Sequence, residues 1–279
     1  LAYSKRVYDA GTGRSVMCEK AVCTNAGDIL LFCLECANIA KENFCWQPLS
    51  VPTVLRSSNG GSTWEDAKPM GDEPGRIWDV LYHQGIIYVL ELFNDSSIAW
   101  YGNLTEHHYS LYVSEDHGCT FTRRSVLPFE IIQRGYGALA FLPDTGLIVY
   151  VYNQTDEKNL DYVISRDAGQ TWDRPKTTFF AKRIRNPQMA TFKDGFVMHG
   201  RSGNKGEDEA QGHLVLYTSS DGIHWDEGRY LQMRTAGAGA YSNNVLVHDP
   251  DGRGPERLLI QASHAYEKHN TNIFHWWLT

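Results

Sequence analysis

Polar and ionisable residues recur in this chain at the starts of apolar, β-branched runs. Arg76-Ile77-Trp78-Asp79 opens one such run, Arg134-Gly135-Tyr136 another, and Arg185-Asn186-Pro187-Gln188 a third. Glu19 and Tyr241-Ser242-Asn243 hold comparable places, while Glu91 and Arg201 lie near the ends of the runs that follow. Gathered at one mouth, such groups would line a pocket for a polar ligand. Guanidinium forks grip carboxylates by two-point contacts, and carboxylates, tyrosines and histidines carry protons. For each side chain taken alone, a solvated or ion-paired loop position is the competing reading.

The elements that must position these residues are marked by a phrase written four times. It reads Ser57-Ser-Asn59-Gly-Gly61-Ser-Thr63-Trp64, Ser114-Glu-Asp116-His-Gly118-Cys-Thr120-Phe121 and Ser165-Arg-Asp167-Ala-Gly169-Gln-Thr171-Trp172. The last copy, Ser219-Ser-Asp221-Gly222-Ile-His224-Trp225, is one residue shorter. Successive copies start 57, 51 and 54 residues apart, a period that belongs to propellers and repeat arrays. Asx followed by Gly favours a tight turn, because the side chain bonds nearby backbone and Gly supplies a positive φ. Each copy follows an apolar run, so it predicts a hairpin turn between two strands.

Between copies the order is strand, turn, strand, loop, strand, repeated phrase. The hairpin turns fall at Asn25-Ala-Gly27, Gln84-Gly85, Asp144-Thr-Gly146 and Asp194-Gly195. A last unit with strands around 240–247, 257–261 and 273–278 carries no phrase, and residues 2–10 supply a spare strand. Pairing that N-terminal strand with the last unit completes a fifth blade and leaves no long sheet edge exposed. The expectation is an all-β propeller of four-stranded blades, five in number with six as the alternative. It forms one domain over residues 1–279 with no internal linker.

A net charge of −7 argues against nucleic acid and anionic membrane surfaces as partners. No apolar stretch reaches transmembrane length, so no membrane insertion is expected. The 15 Tyr and 8 Trp suit strand faces and sugar stacking alike. Five of the 6 Cys fall between Cys18 and Cys45, and sequons stand at Asn94, Asn103 and Asn153. Together they point to a secreted glycoprotein with disulfides stapling the first blade. Cys33-x-x-Cys36 has no second pair and no His at finger spacing, so neither metal nor cofactor is expected.

The repeated phrase resembles the Asp-box of the sialidase-like β-propellers, which sits between the third and fourth strands of a blade and fastens it. Further stretches are similar to that family: Gly27-Asp-Ile-Leu-Leu-Phe32, Gly135-Tyr-Gly-Ala-Leu-Ala140, Gly200-Arg201-Ser202 and Ala240-Tyr241-Ser242. The resemblance implies Arg201 as a substrate arginine and Tyr241 as nucleophile, the tyrosine exception to two-carboxylate glycoside hydrolysis. It also shows departures. Met17-Cys18-Glu19 replaces the family's first arginine motif, Glu42 and Gln47 flank the place of its acid, and Asn186 replaces its glutamate before Pro187-Gln188. Only 14 residues separate Trp225 from Ala240, too few for the blade that carries the third arginine.

A standard exo-sialidase is therefore not expected. The expectation is a divergent carbohydrate-active enzyme, glycoside hydrolase-like or uronate lyase-like, taking a glycan or polysaccharide at the channel mouth. Its catalytic set would be Tyr241, Arg201, Glu19 and Asp79, with Arg76, Trp78, Glu91, Tyr136, Arg185, Gln188 and Asn243 binding substrate. In a lyase, Tyr241, or a histidine such as His83 or His199, would move the proton, and Arg201 or Gln188 would neutralise the uronate carboxylate. The alternative is a lectin or adhesion module that binds sugar without cleaving it.

Overall fold

A computed structural model describes residues 6–37, 51–95, 101–144, 146–156, 158–202, 213–232, 240–248, 254–267 and 270–279, with the side chains at 18, 19, 36 and 37 also outside the description. The described residues form five antiparallel sheets and no helix. They are the blades of a five-bladed β-propeller fold. The chain divides into two compact units, Leu1–Gln133 and Arg134–Thr279, which are taken in turn.

In the first unit, β1 (Arg14–Cys23), β2 (Ile29–Ala37), β3 (Thr53–Ser57) and β4 (Lys68–Pro69) make one sheet. The next sheet is β5 (Gly75–His83), β6 (Ile86–Phe93), β7 (His108–Ser114) and β8 (Thr122–Val126). The two share a core of Leu30, Phe32, Val54, Met70, Ile77, Ile87, Val89 and Tyr112. Gln84 and Gly85 both take positive φ (48° and 87°), the geometry that a two-residue β5–β6 hairpin demands. Gly118 of the second repeated turn packs so tightly on this core that a Cβ there would lie 2.0 Å from Leu30 Cδ2.

The second unit holds three sheets. One is β9 (Arg134–Phe141), β10 (Leu147–Asn153), β11 (Asn159–Ser165) and β12 (Lys176–Phe179). Another is β13 (Arg185–Phe192), β14 (Gly195–Ser202), β15 (His213–Ser219) and β16 (Arg229–Gln232). The last is β17 (Ser242–Val247), β18 (Arg257–Ala265) and β19 (Thr271–Leu278). Every residue of β10 is buried, so its continuous apolar run reads as a strand covered on both faces. Val197, Leu214 and Leu216 pack against Leu258, Ile260 and Ala262 to join the last two sheets. Burying each such aliphatic side chain contributes about 1.5–3 kcal/mol.

All four repeated turns fall between a third and a fourth strand, as the sequence predicts, and share one hydrogen-bond pattern. The leading serine hydroxyl lies 2.7–3.0 Å from the Asx Oδ1 in each (Ser57–Asn59, Ser114–Asp116, Ser165–Asp167, Ser219–Asp221). That serine also accepts the amide of Gly61, Gly118, Gly169 or Gly222. The same Oδ1 accepts the amide of Thr63, Thr120, Thr171 or His224, which closes the loop. Asp167 is held down at about 2 by the Thr171 hydroxyl and amide and the Ser165 hydroxyl. Burial opposes ionisation of Asp116, yet bonds from Thr120 and Ser114 still hold it at about 2.

Two expectations meet a different arrangement. Residues 1–5 lie outside the described residues, 6–13 form no strand, and the β17–β19 sheet has three strands, so the expected closure by N-terminal pairing is not seen. The disulfide staples of the first blade are not formed among the described residues either: Cys23 and Cys119 are exposed free thiols and Cys33 is buried. The side chains of Cys18, Cys36 and Cys45 lie outside the description.

Candidate functional site

The first strand of four sheets breaks its ladder at the same place. The register of β1 on β2 slips between Cys18 and Lys20, and that of β5 on β6 slips between Ile77 and Asp79. The β9–β10 ladder slips at Tyr150/Tyr152, opposite Tyr136 and Gly137, and the β13–β14 ladder slips between Arg185 and Gln188. Such bulges re-aim side chains and are common beside active sites. They carry the candidates: Glu19 and Trp78 are bulge residues, and Tyr136 and Asn186 sit in bulges with φ of 54° and 53°. Ala240, immediately before Tyr241, has φ 64°. A bulky residue held in this region costs on the order of 1–3 kcal/mol, and such strain concentrates at ligand sites.

In the first unit, Asp79 pairs with Lys20 at 3.2 Å, both side chains being almost buried at 12% and 11% exposure. Its Oδ1 also accepts the Val80 amide at 3.0 Å. The Arg76 guanidinium lies over the Trp78 ring at 4.6 Å. Glu91, opposite Ile77 in the ladder, is 1% exposed. Gly75 makes room for its carboxyl, since a Cβ there would stand 2.6 Å from Glu91 Oε1. Burial pushes the His83 imidazole below its ordinary range. Glu19 lies on β1, but its side chain is outside the description, as are Glu42 and Gln47.

In the second unit the expected residues come together more closely. Arg185 and Arg201 are direct partners across the β13–β14 ladder. The half-exposed Tyr241 receives a hydrogen bond from Arg201 Nη1 on its hydroxyl at 3.2 Å, with the guanidinium 5.2 Å from the ring centre. Arg185 donates from Nε and Nη2 to the Tyr136 hydroxyl, at 3.1 and 2.8 Å. Tyr136 packs edge-on against Tyr152, whose hydroxyl takes a 3.5 Å bond from Arg183. Arg134, by contrast, is tied to Asp161 at 2.5 Å. Gln188 is buried and donates to the Pro187 carbonyl at 2.8 Å, and Asn243 is exposed on β17.

Arg183 and Tyr152 belong to this cluster and were not singled out from sequence. The bulges were missed too, although Gly135 and Gly137 around Tyr136, and Asn186 before Pro187, are the residue types that tolerate them. Among the described residues no group of three or more His, Cys, Asp or Glu is arranged to hold a metal.

No family model matches the chain, and no curated protein matches it by sequence. Solved structures do. The Trypanosoma rangeli sialidase in complex with sialic acid superimposes with a TM-score of 0.61 at 13% identity, covering 94% of this chain and 46% of that one. The chain has the fold of the sialidase-like propellers. The NanB sialidase of Streptococcus pneumoniae matches with a TM-score of 0.66 at 11% identity, over 99% of this chain and 61% of its own. The α-L-arabinofuranosidase Arb93A of Fusarium graminearum, solved with an iminosugar inhibitor, matches at 0.58 and 15% identity, over 92% and 79%. The chain thus spans about half the length of the trypanosomal enzyme and under two thirds of the pneumococcal one. At these identities the likeness is one of fold.

Proposed function

We propose that this protein is a secreted, divergent carbohydrate-active enzyme that takes a carboxylate-bearing glycan where β13 and β14 meet Tyr241. The observation that carries this reading is the Arg201–Tyr241 pair, 3.2 Å apart, with Arg185 directly across the ladder. Two neighbouring guanidiniums suit an anionic sugar, since each charge-assisted bond to a carboxylate is worth roughly 1.5–3 kcal/mol. The half-exposed Tyr241 ring beside them offers a face for a sugar ring. The solved relatives of the same fold are a sialidase bound to sialic acid and an arabinofuranosidase bound to an iminosugar, which supports a carbohydrate ligand.

The Arg201–Tyr241 pair, a guanidinium beside a tyrosine hydroxyl, suits elimination on a uronate. In a uronate lyase Arg201 neutralises the uronate carboxylate, which acidifies the adjacent C–H. Tyr241, acting as tyrosinate within reach of that guanidinium, then takes the C–H proton as the C=C bond forms and the C–O bond breaks, and hands that proton to the departing glycosidic oxygen. A second reading, binding without turnover, is favoured by the engagement of Asp79 with Lys20 and the burial of Glu91.

A panel of sialosides, neutral glycosides and uronate polysaccharides separates these readings, followed by reducing-sugar release and by the ultraviolet absorbance of unsaturated uronates. Turnover of an acidic substrate, abolished in Tyr241→Phe, is the expected result. Turnover that survives Tyr241→Phe removes Tyr241 from the chemistry, and binding without turnover across the panel leaves the lectin. Arg201→Ala is expected to weaken an acidic ligand about tenfold or more and a neutral one little. Equal effects would exclude a carboxylate contact.

A further inference from the structure

His199 lies on β14, two residues before Arg201, and is 0% exposed. In its own sheet it stands between Gln188 of β13 and Leu216 of β15, 4% and 1% exposed. Both ring nitrogens reach across to the next sheet. Nδ1 is 2.9 Å from the Ser242 hydroxyl, and Nε2 is 3.0 Å from the side-chain amide nitrogen of Asn244. Around these contacts the seam is apolar, lined by Val197, Leu216, Ala240, Ile260 and Ala262. A leucine would fill such a place without desolvating polar atoms, so a histidine there needs another reason.

The geometry points to His199 as a positioning residue that sets Tyr241 on Arg201; this deepens the site proposed above and rests on that reading. Tyr241 is fixed within its own sheet: its amide bonds the Ser263 hydroxyl at 3.1 Å, and its carbonyl accepts the Ser263 amide at 2.9 Å. Those bonds hold Tyr241 to β18 and say nothing of β14. Elsewhere along the seam Gln232 bonds the Ser263 carbonyl at 3.4 Å and the Lys193 amide bonds Glu256 at 3.1 Å. Next to Tyr241 the tie from β14 to β17 is the imidazole, gripped by the residues one and three places after Tyr241. Apolar packing in the seam is non-directional and would tolerate a slide. Two hydrogen bonds from one rigid ring would not, because both distances hold at only one offset of β17 along β14.

The chemistry of the ring follows from its partners. Nε2 faces an amide N–H donor and therefore accepts, so Nδ1 carries the hydrogen and donates to the Ser242 oxygen. An imidazolium would set a second N–H against the Asn244 amide. The neutral ring is the form that fits. With both nitrogens spent and no solvent contact, His199 is no proton carrier for a substrate. It acts through Tyr241.

The test reads Tyr241 directly. In protein labelled with ring-13C tyrosine, the Tyr241 signal is identified by its loss in Tyr241→Phe, and its response to Arg201→Ala records the pair. His199→Leu is expected to stay folded, since the seam accepts an aliphatic side chain, with a lowered melting temperature because the Ser242 and Asn244 side chains lose their partner. It should also shift the Tyr241 signal to its Arg201→Ala position. The Ser242→Ala/Asn244→Leu variant, which leaves His199 in place, should do the same and serves if His199→Leu fails to fold. Affinity for free glucuronate, where the wild type binds it, should fall about tenfold in both. In 15N spectra the wild-type His199 ring should show one protonated and one bare nitrogen.

An unmoved Tyr241 signal in folded His199→Leu and in the partner variant overturns the positioning role, and so does an imidazolium signature. Failure of the wild type to bind glucuronate while the Tyr241 signal moves as expected counts against the acidic-ligand reading alone.

Discussion

Tyr150→Phe removes one oxygen atom from the second unit and should destabilise it well beyond the average surface change. Tyr150 is 0% exposed on β10, and its hydroxyl donates to the Gly222 carbonyl at 2.7 Å while accepting from Trp225 Nε1 at 3.3 Å. Gly222 and Trp225 belong to the last repeated turn, so this hydroxyl latches the β9–β12 sheet to the turn of the β13–β16 sheet. Burial pushes the phenol well above its ordinary range, as expected for a group kept neutral and bonded in the interior. Phenylalanine preserves the packing against Tyr162 and Trp225 but strands a buried carbonyl and an indole N–H. Trp225 is only partly buried and can find water, so the carbonyl carries most of the penalty, about 2 kcal/mol in total. At about 2–4 °C per kcal/mol for a unit of this size, the melting temperature should drop by roughly 4–8 °C. Urea unfolding should show a lower midpoint at an unchanged slope. Trp225→Phe keeps the bond to Gly222 and should cost less. In the double variant the losses should fall short of additive by about 0.5 kcal/mol or more, because both act on one network. A Tyr150→Phe protein within about 0.5 kcal/mol of the wild type, inside the range of ordinary surface changes, would refute the latch.

Two further outcomes follow from groups whose environments the structure defines. In the folded protein a small thiol reagent should label the exposed Cys23 and Cys119 and spare the 4%-exposed Cys33 until denaturant is added; mass spectrometry of labelled peptides decides, and early labelling of Cys33 would contradict its burial. The repeated turns should make stability acid-dependent. Asp116 and Asp167 sit at about 2 when folded, below the unfolded value of about 3.9, so their contribution is complete above that value and is lost as pH falls from about 4 towards 2. Asp167→Asn should flatten this part of the stability–pH curve, as Asn59 already does naturally in the first turn; an unchanged curve would show that the carboxylate is not responsible.

Much of the fold is legible because the physics that makes it is local. Ser165, Asp167, Gly169 and Thr171 close their turn with bonds spanning four residues or fewer, so the sequence displays the whole device. The alternation and apolar runs are equally local: the turns expected at Gln84-Gly85 and Asp194-Gly195 fall where β5 joins β6 and β13 joins β14. The site is less legible because its contacts join distant segments. Nothing near Arg201 in sequence announces Tyr241, and it was resemblance to a known family that paired them. Asp79 looks like a free acid until Lys20 is brought beside it. Asn94 looks like a sequon on a loop, yet its side chain is 0% exposed and donates to the Tyr101 carbonyl at 2.6 Å. His199 looks like a proton carrier and turns out to be sealed between two sheets. In each case the residue type was right for chemistry, and a partner far along the chain decided its use.

The placement of strain and regularity explains how such a chain keeps its fold while its site drifts. The repeated turns lie between the third and fourth strands, are self-contained and need only four residue types. The first strands instead carry the bulges and the left-handed residues Tyr136 and Asn186, and there the side chains differ from blade to blade: Glu19, Trp78, Tyr136, Asn186. A substitution at a bulge alters what is presented without touching the turn that fastens the blade, and a substitution in the turn does the reverse. On the site proposed above, stability and recognition are therefore written in different strands of the same sheet. That separation accounts for a chain that superimposes on sialidases at 11–13% identity while replacing several of the charged residues expected at their substrate site. On the function proposed above, it also localises the search for specificity to the bulges and their register partners, Arg201 opposite Arg185 foremost among them.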